Sequence, residues 1–441
     1  EKKGNVLNLI EVKAKSFDTE DDFISKRNAR VSKKWRPYMI DVAFQDFVMR
    51  KAFPEMRIQP YLMLADKNTR TSINGLNQKF KIGITSKGRK QAWMEGDVSK
   101  TALGNKILKK VDVGKYVREL QEDQYEVNGN HYDFEGYVHF LSSAYAKEEK
   151  VVPEINCTTC AECQFRATSE EEKKGKISGY KECWMEILEF TESDFETPSV
   201  LDIWDFRKKQ HFLEENRFFL KELNEDDFDL SKSNQTRQWL QVQKSVANDT
   251  APWIDVKGLS SEMSSWVWPL HFIDFETSAV AIPFTKNRHP YEVVAFQFSH
   301  HIAYEDGHIE HVDEYLNVEP GIFPNFEFVR RLKSSLENDN GTIFRYAPHE
   351  NTVLNQIIQQ IETSKADIPD YKELISWIKT ITYNSKTEWV GQRAMVDMWE
   401  LVKKYYFQLE MGGSNSIKKV LPAMLNSSEY LQEKYSQPIY N

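Results

Sequence analysis

In HFIDFET, residues 271–277, two carboxylates, Asp274 and Glu276, stand one residue apart inside an apolar run. A β-strand sends residues i and i+2 to one face, so the pair projects together while Phe272, Ile273 and Phe275 are expected to be buried around it. Two negative charges this close are costly in a low-dielectric setting unless a cation lies between them or one takes up a proton. A divalent metal is the commonest remedy. An edge strand with both carboxylates turned to water is the alternative.

Two further groups of residues have chemical potential. EVK, residues 11–13, puts Glu11 and Lys13 on one strand face, and Gln45 follows on an amphipathic helix. The same ExK pattern also occurs as ordinary surface alternation. The chain has only four cysteines, and all fall between 157 and 183: Cys157, Cys160 and Cys163 in CTTCAEC, then Cys183. CxxCxxC lets thiolates on a tight loop converge on one centre, and a distant fourth can close the shell. That spacing favours a 4Fe–4S cluster; structural Zn²⁺ is the alternative. Either would act structurally, pinning distant segments together.

The elements that must hold these residues follow from periodicity. VLNLIEVKAK (6–15) reads as a strand, YMIDVAFQDFVMRKAF (38–53) as a helix with Ile40, Phe44, Phe47 and Val48 on its apolar side, and PYLMLADKN (60–68) as a buried strand. A charged, mostly helical section is expected to about residue 150, and charged helices with a polar connection, SNQTRQ, between 190 and 265. HFIDFE, VVAFQFSHHIAY and HIEHVDEYL then read as three strands in a meander, followed by helix FPNFEFVRRLKSSL, strand GTIFRYA and helix ENTVLNQIIQQI. A mixed sheet flanked by helices is the architecture that this order suggests.

At 441 residues, 40% hydrophobic and 13% aromatic, the chain has the material for two or three globular cores. No apolar run reaches bilayer length and no charged-then-apolar leader opens the chain, so a cytoplasmic location without membrane contact is expected. The start at Glu1 and the ending YSQPIYN suggest that further elements lie outside these residues. A net charge of −9 argues against a general phosphate-binding coat. Two local strips, SKRNARVSKKWR (25–36) and QKFKIGITSKGRK (78–90), could still guide a polyanion, or form an ordinary solvated surface.

Glu11, Lys13 and Gln45, with a cysteine cluster beyond, resemble the RecB-like PD-(D/E)xK nucleases, in particular their iron–sulfur subgroup, which includes the CRISPR-adaptation exonucleases. The resemblance covers residues 1–190 and implies that Glu11 holds a divalent metal, Lys13 polarises the attacking water and the cysteines lock the end of the domain. Met49 stands where the helix motif has tyrosine, and the family's upstream aspartate would precede residue 1. Across 266–441, DxET at the first strand resembles the DnaQ-like (DEDD) 3′–5′ exonucleases, whose fold is ribonuclease-H-like. Glu350 falls at the second motif and Tyr346 at its usual asparagine. Asp397 matches the aspartate that opens a later helix, as a metal ligand or as an N-cap. SNSIKKVLPAML (414–425) resembles the family's small-residue-then-Leu-Lys helix start. The third motif would lie near or past Asn441, and His349 and His271 are available as proton acceptors.

The expectation is therefore an α/β protein: a restriction-endonuclease-like mixed core with a four-cysteine cluster (1–190), a helical connector (191–265) and a ribonuclease-H-like sheet (266–441). It would hydrolyse phosphodiester bonds of nucleic acid, DNA in preference to RNA, using Mg²⁺ or Mn²⁺ held by Asp274, Glu276, Glu350, Asp397 and Glu11. Bacterial genome maintenance or defence against foreign DNA is the setting that the resemblance implies. The rival is a binding or scaffold protein whose nuclease modules are degenerate; a redox protein built on the cysteines is the third reading.

Overall fold

The computed structural model describes residues 1–127 and 129–436. It is a mixed α/β structure built around two larger sheets. In the first, Val6–Phe17 pairs parallel with Arg57–Asp66, and Lys2–Lys3 and Leu108–Asp112 flank them antiparallel. A parallel pair needs a crossover, and helix Arg36–Ala52 supplies it, with Pro37 in its first turn, where no backbone N–H is lost. This helix buries Met39, Val42, Ala43 and Asp46, whereas Phe44 and Val48 of the expected apolar stripe are exposed. The inward face is thus set about one residue away from the pattern, where the buried Asp46 carboxylate accepts from Nε and Nη2 of the exposed Arg50 at 2.7 and 3.0 Å.

Two other expectations are corrected. The section from residue 69 to 150 is not mainly helical: it holds the antiparallel hairpin Phe80–Ile84/Lys90–Met94, strand Leu108–Asp112, a second small hairpin, and the helices Gly114–Gln121 and Phe134–Ala146. SNQTRQ is not a connection but the opening of helix Ser233–Val246, whose Arg237, Gln238 and Gln241 are buried. In the helix, backbone partners for the buried Gln238 and Gln241 outweigh local polarity.

In the second sheet the strands stand in the order Ile309–Leu316, Val294–Ala303, Leu270–Ser278, Ile343–Arg345, Val396–Asp397. The first three form the antiparallel meander, and the last two run parallel to Leu270–Ser278. Ile273 and Phe275 enter a core closed by helices Asn325–Leu336, His349–Ser364 and Tyr371–Ile381. Phe328 is its hub, edge-on to Phe275, Phe298 and Tyr315 with centroids 4.9, 5.4 and 5.9 Å away. A separate core gathers Cys160, Trp184, Phe206, Phe212 and Val242, with Cys157 and Cys183 packed against it, so the cysteine segment packs with 191–246. No helix among the described residues is long and apolar enough to cross a membrane.

Phe328 is fully buried, and Phe328→Ala is expected to cost about 3–5 kcal/mol of stability. Urea unfolding of the variant beside the wild type measures this, and a change below about 1 kcal/mol would contradict the packing described.

Candidate functional site

The central strand presents Asp274 and Glu276 on its exposed face, while Ile273 and Phe275 are buried on the other. Phe272 is half-buried and stacks on Phe344, its parallel partner in register, at 5.1 Å. Asp274 therefore lies two residues beyond that pair, toward the carboxyl ends of the parallel strands, where α/β sheets open their binding crevices. A bulge between Glu276 and Thr277 re-aims the end of the strand.

Glu350 comes near Asp274 from the first turn of helix His349–Ser364. It is buried, and its Oε2 has no hydrogen-bond partner. Burial pushes its carboxyl up to about 7, with the charges of Asp274 and Asp397 adding to the shift and Arg345 opposing it. One carboxylate of the set is thus held near protonation while Asp274 and Glu276 meet solvent. His349 is exposed, its Nε2 3.2 Å from Thr277 Oγ1.

Asp397 is committed elsewhere. Its Oδ2 accepts from Arg345 Nη1 at 2.7 Å, and its Oδ1 accepts from the backbone N–H groups of Ala347 and Trp399 at 2.9 and 3.0 Å. It is the N-cap of helix Met398–Tyr405. Arg345 Nη1 also donates to the Ala347 carbonyl. Ala347, at φ +68°, is in the left-handed region that a non-glycine residue enters at a cost. The buried pair thus grips both backbone groups of the residue where the chain turns from strand into the Glu350 helix. Of the two readings of Asp397, the N-cap describes its contacts. Tyr346, in the usual asparagine place, donates its hydroxyl to the Asn415 carbonyl at 2.6 Å and so ties the crevice to helix Ile417–Ser427. The place expected for the third motif, near or past Asn441, lies outside the described residues.

His271 is not available to the crevice. It is 1% exposed, on the face opposite Asp274, with Nδ1 2.9 Å from His300 Nε2 and Nε2 2.8 Å from Asp339 Oδ1; His300 Nδ1 lies 2.7 Å from Ser335 Oγ. With both rings neutral, only one proton order satisfies the chain. The Ser335 hydroxyl donates to His300, His300 donates to His271 and His271 donates to Asp339. Burial first, then the neighbouring His271 ring, pushes His300 down to about 4.

In the N-terminal sheet, Lys13 Nζ lies 2.8 Å from Glu11 Oε1 and 2.6 Å from Asp41 Oδ2, and Gln45 Nε2 donates to Glu11 Oε2 and Asp41 Oδ1, both at 3.1 Å. The structure brings together all three residues picked from sequence and adds Asp41, one helical turn before Gln45 and so on its face. That spacing was the available signal. Asp41, then Glu11, holds Lys13 above the ordinary lysine range, and Lys13, then Gln45, holds Asp41 below the usual carboxylate range. Met49 is half-buried on the same helix.

All four cysteines are free thiols. Asn156 caps the short helix Cys157–Ala161, and its backbone N–H points at Cys160 Sγ at 3.5 Å. Burial raises the Cys183 thiol, with Cys163 and Cys160 adding to the shift and Lys150 opposing it. Cys163 and Cys183 border an open cavity of about 1200 Å³. The thiols therefore share a neighbourhood, and their soft donor chemistry suits an iron–sulfur cluster or zinc. The hard oxygens of Asp274, Glu276 and the unpartnered Glu350 Oε2 suit Mg²⁺ or Mn²⁺. Among the described residues, however, no three His, Cys, Asp or Glu side chains are gathered tightly enough to hold a metal ion, at either place or in the N-terminal sheet.

A family profile described as a domain of unknown function (DUF2779) matches residues 271–416, a stretch that contains Asp274, Glu276, Glu350 and Asp397. No curated protein and no solved structure matches the chain.

Two pH effects follow. The folded chain keeps a proton on Glu350 up to about 7 that an unfolded chain releases near 4.5, so this stabilising contribution is lost as pH rises through 7. In EDTA at pH about 8, Glu350→Gln is expected to be more stable than the wild type by roughly 2–3 kcal/mol and to match it in acid; thermal melts at the two pH values decide. His300 works in the opposite sense, because the unfolded chain binds a proton near 6.5 that the folded one refuses until about 4. Stability is thus expected to fall by roughly 2–3 kcal/mol as pH drops across that window. His300→Asn, read by the same melts, should flatten the fall.

Proposed function

We propose that this chain is a metal-dependent nuclease that hydrolyses phosphodiester bonds of DNA in preference to RNA, with its main site in the C-terminal unit. The observation that carries the reading is that Asp274 and Glu276 share the exposed face of the central strand while Glu350, buried and with its pKa raised in part by Asp274, enters from the helix that follows the neighbouring parallel strand. The strand order agrees with the ribonuclease-H-like arrangement that the DxET resemblance implies. Divalent cations bound there supply Lewis acidity for activating a water and for stabilising the leaving oxyanion. Asp274 and Glu276 hold hard-oxygen ligands toward the crevice mouth. Glu350 would add its carboxylate to such a shell in its deprotonated form, so that cation binding there would compete with its proton. His349, exposed beside Thr277, is placed to accept a proton from solvent in the crevice.

The Glu11, Lys13, Asp41 and Gln45 cluster supports a second, PD-(D/E)xK-type site, to which Asp41 adds a carboxylate. The cysteine neighbourhood supports a structural 4Fe–4S cluster, with zinc as the alternative, and a cytoplasmic location accords with free thiols. One observation favours the rival reading of a nucleic-acid-binding scaffold: Asp397 is held by Arg345 and two backbone N–H groups in the role of an N-cap.

The test is degradation of labelled single and double strands by the full-length chain in Mg²⁺ or Mn²⁺. Asp274→Ala is expected to lower the rate at least about a hundredfold, while Glu11→Ala removes only a residual activity. Wild-type protein that leaves every substrate intact, or an Asp274→Ala variant as active as the wild type, would sink the proposal. Separately, anaerobically purified protein is expected to contain iron and sulfide, or zinc, lost together with several degrees of melting temperature in Cys183→Ser. Full thermal stability without any bound metal would rule the cluster out.

A further inference from the structure

Residues 78–94 carry Lys79, Lys81, Lys87, Arg89 and Lys90 and no Asp or Glu, in a chain whose net charge is −9. They form a hairpin that belongs to neither larger sheet, with Phe80–Ile84 antiparallel to Lys90–Met94 and Ile82 opposite Ala92. Alternation gathers Phe80, Ile82, Ile84, Ala92 and Met94 on one face, where Ile82 and Ile84 are 77% and 74% exposed. On the other face the Trp93 ring closes over Gly83, where a Cβ would stand 2.8 Å from the ring. A two-stranded ribbon is marginal by itself in water, and an apolar stripe kept in solvent marks a contact surface. Lys81 lies 3.7 Å from Glu95 and Lys79 donates to the Asp97 carbonyl, whereas Lys87, Arg89 and Lys90 at the tip form no ion pair among the described residues.

The root of this hairpin is fastened to the loop that leaves the central strand. Thr71 N donates to the Arg288 carbonyl, Asn287 N to the Thr71 carbonyl and Gly75 N to the Phe284 carbonyl, at 3.0, 2.7 and 2.9 Å. Lys286 N donates to Asn74 Oδ1 at 2.8 Å. Asn77 and Gln78 share a cavity of about 350 Å³ with Ser278, two residues past Glu276. The foot of an arm with cations at its tip and an apolar flank therefore lies beside Ser278, two residues past Glu276. A single strand of nucleic acid matches both surfaces, since its phosphates seek the cations and its unpaired bases offer flat apolar faces.

We infer that the 80–94 hairpin is a single-strand-binding arm: Lys87, Arg89 and Lys90 contact phosphates, and the Phe80, Ile82 and Ile84 face takes unstacked bases. The inference rests on the nuclease reading only for the identity of the polymer. It is tested with the full-length chain in EDTA by fluorescence anisotropy of a labelled oligo-dT strand and of a blunt duplex over a salt series. The triple change Lys87→Glu, Arg89→Glu, Lys90→Glu is expected to weaken strand binding at least about tenfold and to reduce the salt slope by about 2, at ~0.7 for each single-strand phosphate contact. Ile82→Ser with Ile84→Ser is expected to weaken the strand about fivefold or more and the duplex little. Neither change touches a core, so both variants should melt with the wild type. Wild-type affinity and salt slope in both variants would overturn the inference. So would a concentration-dependent dimer, dispersed by the isoleucine changes with strand affinity unaltered, because the face would then bind protein. Binding that depends on the hairpin in a chain that cleaves nothing would keep this inference and remove the nuclease reading; cleavage that depends on Asp274 with hairpin-independent binding would do the reverse.

Discussion

The buried pair of Arg345 and Asp397 is the constraint on which the C-terminal crevice depends. Arg345 is 2% exposed, and a cation so far from water requires a close anion. The parallel register places Asp397 directly across from it. Together they hold the amide and the carbonyl of Ala347, and so stabilise a left-handed turn that the residue would not adopt alone. The direction of the next helix, and with it the position of Glu350, is set there. One ion pair thereby serves three ends: it joins the two outer parallel strands, it caps helix Met398–Tyr405 and it aims a carboxylate.

The two faces of the central strand separate chemistry from support. On one, Asp274 and Glu276 meet solvent and a buried Glu350 of raised pKa. On the other, Ile273 and Phe275 pack around Phe328, and His271 joins the hydrogen-bonded line from Ser335 to Asp339. That line links the central strand, its antiparallel neighbour and the end of helix Asn325–Leu336, running through two neutral rings to the Asp339 carboxylate, which also faces Arg393 Nη2 at 3.3 Å. The polar groups under the site are therefore satisfied by one another. Gly341 makes the approach possible, since a Cβ there would lie 1.9 Å from the Pro269 carbonyl.

Much of this was legible because alternation and element order are local properties. The meander, the two helices, the short strand between them, and the shared face of Asp274 and Glu276 all followed from spacing. The errors came where long-range partners intervened. Helix Arg36–Ala52 turns Phe44 outward while Asp46, satisfied by Arg50 and Gln121, takes the inner position. SNQTRQ is helical because Gln238 and Gln241 find backbone carbonyls at Trp204, Asp205 and Asp202. Polar residues that read as a loop were satisfying buried backbone instead.

By itself, the sequence determined the inventory: which carboxylates, thiols and basic strips exist, and which strand faces they share, since period-two and helical spacing need no distant contact. Only the tertiary structure decided their states. It buried Glu350 and left Asp274 in solvent, gave Asp397 to Arg345, sank His271 into a closed chain, brought Asp41 to Lys13, and stood a basic hairpin beside Ser278. Each of these depends on burial or on a partner tens to hundreds of residues away. Electrostatic character follows the local dielectric and the nearest charge, which the order of residues along the chain does not specify.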